Sequence, residues 1–215
     1  MSQALIFDFD GLILDTESAI YEVWRNFYAQ HGHALSIQTW SQCIGSDFSH
    51  SYDPKTQLEA LTRQRFDWPA VDARLTQEAL ALLEHYPVLP GVKELLLAAK
   101  TAAIPCAMAS SSPRDWVVPH LERIQLKPFF AHVITKEAVE RVKPAPDLFL
   151  KAAKELGIDP KQAIVLEDSL NGLRAATAAG MRCVIAAGPT TQHLDFSAAW
   201  RRVGSLAEIT LASLL

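Results

Sequence analysis

The first apolar run of the chain, Ala4-Leu5-Ile6-Phe7, is too short for a helix and passes directly into Asp8-Phe9-Asp10-Gly11. A short apolar run that ends in acids and a glycine predicts a buried parallel strand turning sharply at its carboxyl end. Alternation puts Asp8 and Asp10 on one side and Phe7 and Phe9 on the other. Beyond Thr16 the period changes. Ile20, Val23, Trp24, Phe27 and Tyr28 recur at helical spacing and predict a helix over residues 18–30, with Gly32 as its stop. Further helices are predicted over 36–43, from Asp53 with Pro54 in the first turn, and over 69–84. No strand pattern interrupts this stretch. It closes on Tyr86-Pro87-Val88-Leu89-Pro90-Gly91, a cluster of the kind that marks a boundary.

From Gly91 onward the two periods alternate, with helices over 92–100, 116–124, 147–156 and 169–179 and strands over 106–109, 132–135, 163–166 and 183–187. This predicts an α/β fold, a doubly wound parallel sheet with helices on both faces. The first strand belongs to the same sheet, so the helices that follow it form an inserted helical cap. The expected division is an α/β core of residues 1–15 and 87–215 and a cap of residues 16–86. The tail from Gly188 has no readable period.

Composition narrows the function. The 215 residues, 49% of them hydrophobic, can bury a core of ordinary size together with a small insertion. A net charge of -4 without a basic run argues against nucleic acid as a partner. Cys43, Cys106 and Cys183 are odd in number and far apart, which suits buried thiols in a reducing compartment. No basic region precedes the first apolar run, and charged residues interrupt every apolar stretch before it reaches membrane-spanning length. A cytoplasmic protein without membrane attachment is expected, and nothing demands more than a monomer.

Ligands of open parallel sheets bind at the carboxyl ends of the strands. That rule gathers Asp8 and Asp10, the run Ser110-Ser111-Ser112, Lys143-Pro144-Ala145-Pro146, and Glu167-Asp168-Ser169 at one mouth. Taken singly, each has an ordinary structural use: the serines as a helix cap, Lys143 as a solvated charge, Glu167 and Asp168 as acids that complement a helix dipole. Taken together they suit phosphoryl transfer. A phosphate monoester is a dianion, and its attack by a carboxylate calls for a divalent cation and a fixed positive charge. Asp8, Asp168 and Glu167 are candidate ligands for Mg²⁺, which prefers hard oxygen donors, and Lys143 is the candidate fixed charge. Ser110 and Ser111, with the amides that open the next helix, are candidates to cradle phosphate oxygens.

Other chemistries lose their support. There is no GxSxG elbow, Walker loop or GxGxxG, and none of the seven histidines, His31, His33 and His50 among them, sits in an HExxH. Trp24 and Trp116 read as core residues.

The segments DFDGLILDTE, ASSS, KPAPDLFL and EDSLNG occur in this order along nearly the whole chain. The set resembles the haloacid dehalogenase superfamily, in particular its phosphatases with a helical cap after the first strand and, among them, the beta-phosphoglucomutase-like subgroup. The resemblance implies an Mg²⁺-dependent phosphomonoester hydrolase acting on a small phosphorylated metabolite, a sugar phosphate being the expected class. By the same resemblance Asp8 is the nucleophile that forms an aspartyl phosphate, and Asp10 is the general acid and then the base. The backbone carbonyl of Asp10, with Asp8 and Asp168, is implied to bind Mg²⁺ with help from Glu167, while Ser110 and Lys143 bind the phosphate. Phosphomutases of the subgroup carry a cap histidine where this chain has Ile20, and an arginine for the distal phosphate where Gly45-Ser46-Asp47-Phe48 has none. Hydrolysis is therefore expected ahead of the alternatives, a sugar phosphomutase or a non-catalytic phosphometabolite-binding protein. Trp24, residues 45–50 and Arg63 are expected to set the leaving-group preference.

Overall fold

In the computed structural model, which describes residues 3–45 and 52–215, six strands form one sheet. They are β1 (Ala4–Phe7), β2 (Cys106–Ala109), β3 (His132–Ile134), β4 (Ala163–Glu167), β5 (Arg182–Ala186) and β6 (Arg201–Val203). The order across the sheet is β3-β2-β1-β4-β5-β6. Every pairing is parallel.

The pleat divides the apolar side chains between two cores. Leu5 and Phe7 of β1, Met108 of β2 and Leu166 of β4 pack with Leu95 and Leu96 of α5 (Val92–Thr101) and Leu121 of α6 (Arg114–Arg123). Ile6, Ala107 and Val165 face the other way, onto Leu148 and Phe149 of α7 (Asp147–Leu156) and Leu173 of α8 (Leu170–Ala178). The sheet is therefore wound on both faces, as the alternation predicts. β6 is an addition. Two of its three residues, Arg201 and Arg202, are charged, because an edge strand pairs through its backbone and one side stays wet. A pattern search has no apolar run to find there.

Between β1 and β2 the chain forms α1 (Thr16–Gln30), α2 (Ile37–Trp40), α3 (Pro54–Thr62) and α4 (Trp68–Leu83). Their starts are chemically marked: the side chains of Asp15, Ser36, Asp53 and Asp67 each accept a first-turn backbone N–H. α2 stops at Trp40, short of the predicted end, and turns carry the chain through Gly45. These helices share a third apolar cluster that includes Trp24, Phe27, Tyr28, Trp40, Leu58 and Leu75. Trp24 is thus a core residue of the helical layer.

Phe149 ties packing to chemistry, since its fully buried ring lies 4.8 Å from the Lys143 ammonium. Phe149→Ala should cost about 3–5 kcal/mol in urea unfolding, as buried aromatic truncations do. A loss below about 1 kcal/mol would mean that this core relaxes around the gap.

Candidate active site

β1 lies where the strand order reverses, with β2 on one side and β4 on the other. Ligand sites of doubly wound sheets form at this switch point, outside the carboxyl ends of the strands. Asp8 follows β1 and remains tied to β4 through its backbone N–H, which donates to the Leu166 carbonyl at 2.9 Å. Glu167 closes β4 and Asp168 follows it. Lys143 reaches in from the loop before α7 and donates to Asp8 Oδ1 and, at 2.7 Å, to Glu167 Oε1. All four side chains are buried.

Each acid is held differently. Glu167 has both oxygens engaged: Oε1 takes Lys143, and Oε2 accepts from the amides of Asp168 and Ser169 at 2.8 Å each and from Ser169 Oγ at 2.9 Å. Neither oxygen of Asp168 has a hydrogen-bond partner, although both are buried. Two glycines make the space. A Cβ on Gly11, whose φ is +75°, would lie 2.1 Å from Asp168 Oδ2, and one on Gly172 would lie 1.8 Å from Glu167 Oε1.

Burial pushes the Asp8 carboxyl up to about 8, against the pull of Lys143 and with the push of Glu167 and Asp10. Asp168 is raised well above the usual range, by burial first and then by Glu167 and Asp8. Burial opposes the charge on Lys143, yet Asp8 and Glu167 hold its ammonium above the ordinary value. Three carboxylates thus share one ammonium. Oxygens of Asp8, Glu167 and Asp168 come within 4.8 Å of one another, so the cluster offers hard donors to a divalent cation. The unpartnered oxygens of Asp168 fit such an ion.

Asp10 belongs to the same loop but to a different network. Its Oδ1 accepts from Thr16 Oγ1 at 2.8 Å and from the Trp116 indole N–H at 2.9 Å. Its Oδ2 accepts from Ser112 Oγ at 2.6 Å and Ser110 Oγ at 3.2 Å. Ser110 therefore lies at the mouth with its hydroxyl on Asp10. The Ser111 hydroxyl donates instead to the Gly45 carbonyl at 3.1 Å, a contact to the segment between α2 and α3.

A cavity of about 640 Å³ opens beside Asp10. α1 and α4 wall it on one side and α6 on the other, with Glu17, Trp24, Leu75, Ser112, Trp116 and His120 among its lining. Arg63 is exposed at the end of α3 and lies off this wall. Of residues 45–50, Gly45 is described and 46–50, His50 included, fall outside the described residues. Trp116, expected only in the core, is half-buried and holds Asp10, because its position in the first turn of α6 aims the indole edge at the loop after β1. Glu17 is a further buried acid on the wall. Its carboxyl is raised well above the usual range by burial and then by Asp10. Ser112 and Thr16 had a signal in their adjacency to the serine run and to the acid loop.

Residues 5–186 match the model for haloacid dehalogenase-like hydrolases, and the chain belongs to that family. It is 40% identical to "Putative phosphatase YhcW" of Bacillus subtilis (strain 168), an alignment covering 100% of this chain and 97% of that protein. It is 31% identical to hexitol phosphatase B of Escherichia coli (strain K12), covering 99% and 96%. CbbY from Rhodobacter sphaeroides, in a crystal structure with phosphate, superposes with a TM-score of 0.77 at 28% identity, covering 100% of this chain and 99% of that one. Its mutant with bound xylulose-(1,5)bisphosphate superposes with the same score at 27% identity and the same coverage. The chain is a phosphatase of this family.

Two outcomes test the acid cluster. Gly172→Ala should unfold at lower temperature than wild type, since Glu167 is locked by four donors and cannot swing from the new methyl. Without metal, Asp8 in the folded chain keeps a proton that the unfolded chain releases near 3.8, so stability is lost as pH rises towards about 8. Melting in EDTA from about pH 5 to 8 should show this slope, Mg²⁺ should raise Tm more at the alkaline end, and Asp8→Asn should lessen the slope, leaving the part contributed by Asp168 and Glu17.

Proposed function

We propose that the chain is a metal-dependent phosphomonoester hydrolase of small phosphorylated metabolites, sugar phosphates first among them, working through an aspartyl phosphate on Asp8. What carries this reading is the division between the two acids of the loop after β1. Asp8 is buried against Lys143 beside Asp168, whereas Asp10 is held by four donors on the wall of the cavity. One acid is set against the phosphorus and the other against the leaving oxygen. The names of the relatives, a hexitol phosphatase and a protein solved with xylulose-(1,5)bisphosphate, support the sugar-phosphate class.

In this mechanism an Asp8 oxygen attacks phosphorus and the ester P–O bond breaks. Asp10 gives its proton to the departing alkoxide, so an alcohol leaves and Asp8 carries the phosphoryl group. Asp10, now a carboxylate, takes a proton from water, whose oxygen attacks phosphorus, and the acyl phosphate opens to inorganic phosphate and free Asp8. Lys143 neutralises phosphoryl charge during both displacements, and Glu167 positions Lys143 from behind. Asp8, Asp168 and the Asp10 carbonyl would hold Mg²⁺, with Glu167 in support by orientation. When bound, the ion supplies the charge that keeps Asp8 ionised and offsets its repulsion of the phosphate dianion. The reference reaction is slow enough that accelerations of up to ~10²¹ are met for monoesters. Acid-base help of about 10²–10⁴ covers a small part of that, and fixed charge with a covalent step covers the rest.

The cap division at residues 16–86 belongs to the same proposal: the helical layer closes the mouth while the ester is cut. A phosphomutase must hold two phosphates. Among the described residues of the cavity wall Lys55 is the one lysine or arginine, and it is bonded to Asp72 at 2.5 Å. Hydrolysis is the better fit.

Phosphate release from a panel of sugar phosphates with Mg²⁺ or EDTA is the direct test. Asp8→Asn should lose at least about a thousandfold in kcat, and Asp10→Asn about 10²–10⁴. Consumption of a sugar monophosphate without release of phosphate would favour the mutase, and an active Asp8→Asn variant would refute the nucleophile.

A further inference from the structure

The cavity beside Asp10 has two properties that select a substrate. Its wall is mostly apolar: Ile20 and Trp24 of α1, Leu75 and Leu80 of α4, and Trp116 and Pro119 of α6 all line it. Its titratable residues are nearly all acids, with Glu17, Asp72 and Asp115 joining Asp10 on the wall. The one ammonium there among the described residues, Lys55, is committed to Asp72 at 2.5 Å. Residues 46–51, outside the described set, contain neither lysine nor arginine.

A second phosphate on the substrate would find no free cation among the described residues, since Lys55 is already paired with Asp72, and would give up its hydration against a mostly apolar wall, which costs in desolvation. A bare polyol also fits poorly. Its hydroxyls can reach the few acids of the wall, but over the indole and aliphatic surface they would give up water and receive no hydrogen bonds. The volume, about 640 Å³, lies within the range of ~300–1,000 Å³ found for sites that enclose drug-sized ligands. An uncharged apolar group on the far side of the sugar would instead fill this wall and release its hydration.

We infer that the site takes a sugar monophosphate whose remainder carries one uncharged apolar group, as in an alkyl or aryl glycoside, and that it rejects sugar bisphosphates. This rests on the hydrolase reading of Asp8 and Asp10 and narrows it. The phosphate end sits at Asp8 and Lys143, Asp10 marks the junction, and the apolar group lies between α4 and α6.

Three compounds with the same leaving alcohol test it: a hexose 6-phosphate, its phenyl glycoside 6-phosphate and the 1,6-bisphosphate, each followed by phosphate release from the full chain with Mg²⁺. With the bisphosphate read by formation of the hexose 1-phosphate, the 6-oxygen departs in all three and intrinsic reactivity is matched. The glycoside should exceed the free hexose phosphate in kcat/KM by about tenfold or more, chiefly through KM, the order expected when an aromatic ring leaves water. The bisphosphate should fall below the free hexose phosphate by about tenfold or more. Equal values, or the reverse order, would overturn the inference. Leu80→Ser, at a position 42% exposed and so of little risk to folding, should shrink the glycoside advantage. An undiminished advantage would place the ring elsewhere and defeat the assignment to this cavity. Calorimetric binding of the three compounds to Asp8→Asn should give the same order. If wild type turns over none of them the hydrolase reading fails, and the binding order alone then upholds or overturns the substrate class.

Discussion

Three carboxylates closed off from water share a single ammonium, and much of the rest of the structure follows from that imbalance. Asp8, Glu167 and Asp168 sit at the carboxyl ends of two adjacent parallel strands, with Lys143 between Asp8 and Glu167. A buried pair of opposite charges can satisfy itself; three acids around one base cannot. The fold makes ionisation of Asp8 and Asp168 unfavourable, a cost that a bound cation would offset. Glu167 is different. Its hydrogen bonds are complete, so it serves as the anchor that keeps Lys143 aimed. Gly11 and Gly172 are the conformational cost of bringing these acids so close to backbone, because any Cβ would occupy carboxylate space.

Asp10 lies two residues from Asp8, yet hydroxyl and indole donors from α1, the serine run and α6 surround it. Those donors fix its direction, which suits the proposed role of a group that passes a proton at one place. Of these donors Ser112 and Trp116 also line the cavity. Trp116 in α6 does both, donating to Asp10 and lining the wall. The cavity is thus walled by both the helical layer and the α/β core.

The sheet and most helices were legible because their signals are local. Alternating apolar runs marked β1, β2 and β4, and Asp, Ser and Pro at helix starts marked the helices after β1. The convergence of Asp8, Glu167 and Asp168 was legible for the same reason, since strand ends place side chains predictably, whereas Lys143 reaches them from the loop before α7. What the sequence hid was mostly the work of side-chain direction. Nothing in Thr16, Ser112 or Trp116 taken alone says that their donors converge on Asp10, and a tryptophan at helical spacing reads as core. Ser111 looked equivalent to Ser110, but its hydroxyl faces Gly45. Glu17 follows the acid loop as one more helix-start acid, and only packing reveals that it is buried. β6 has an edge-strand composition that periodicity passes over.

The central claim is that Asp8, of the three buried acids, receives the phosphoryl group. Quenching the protein during turnover, reducing acyl phosphates with borohydride and mapping the product by peptide mass spectrometry tests it directly. The account predicts reduction at residue 8 alone, dependent on substrate and metal. Reduction at Asp10, Glu167 or Asp168, with residue 8 untouched, would contradict it.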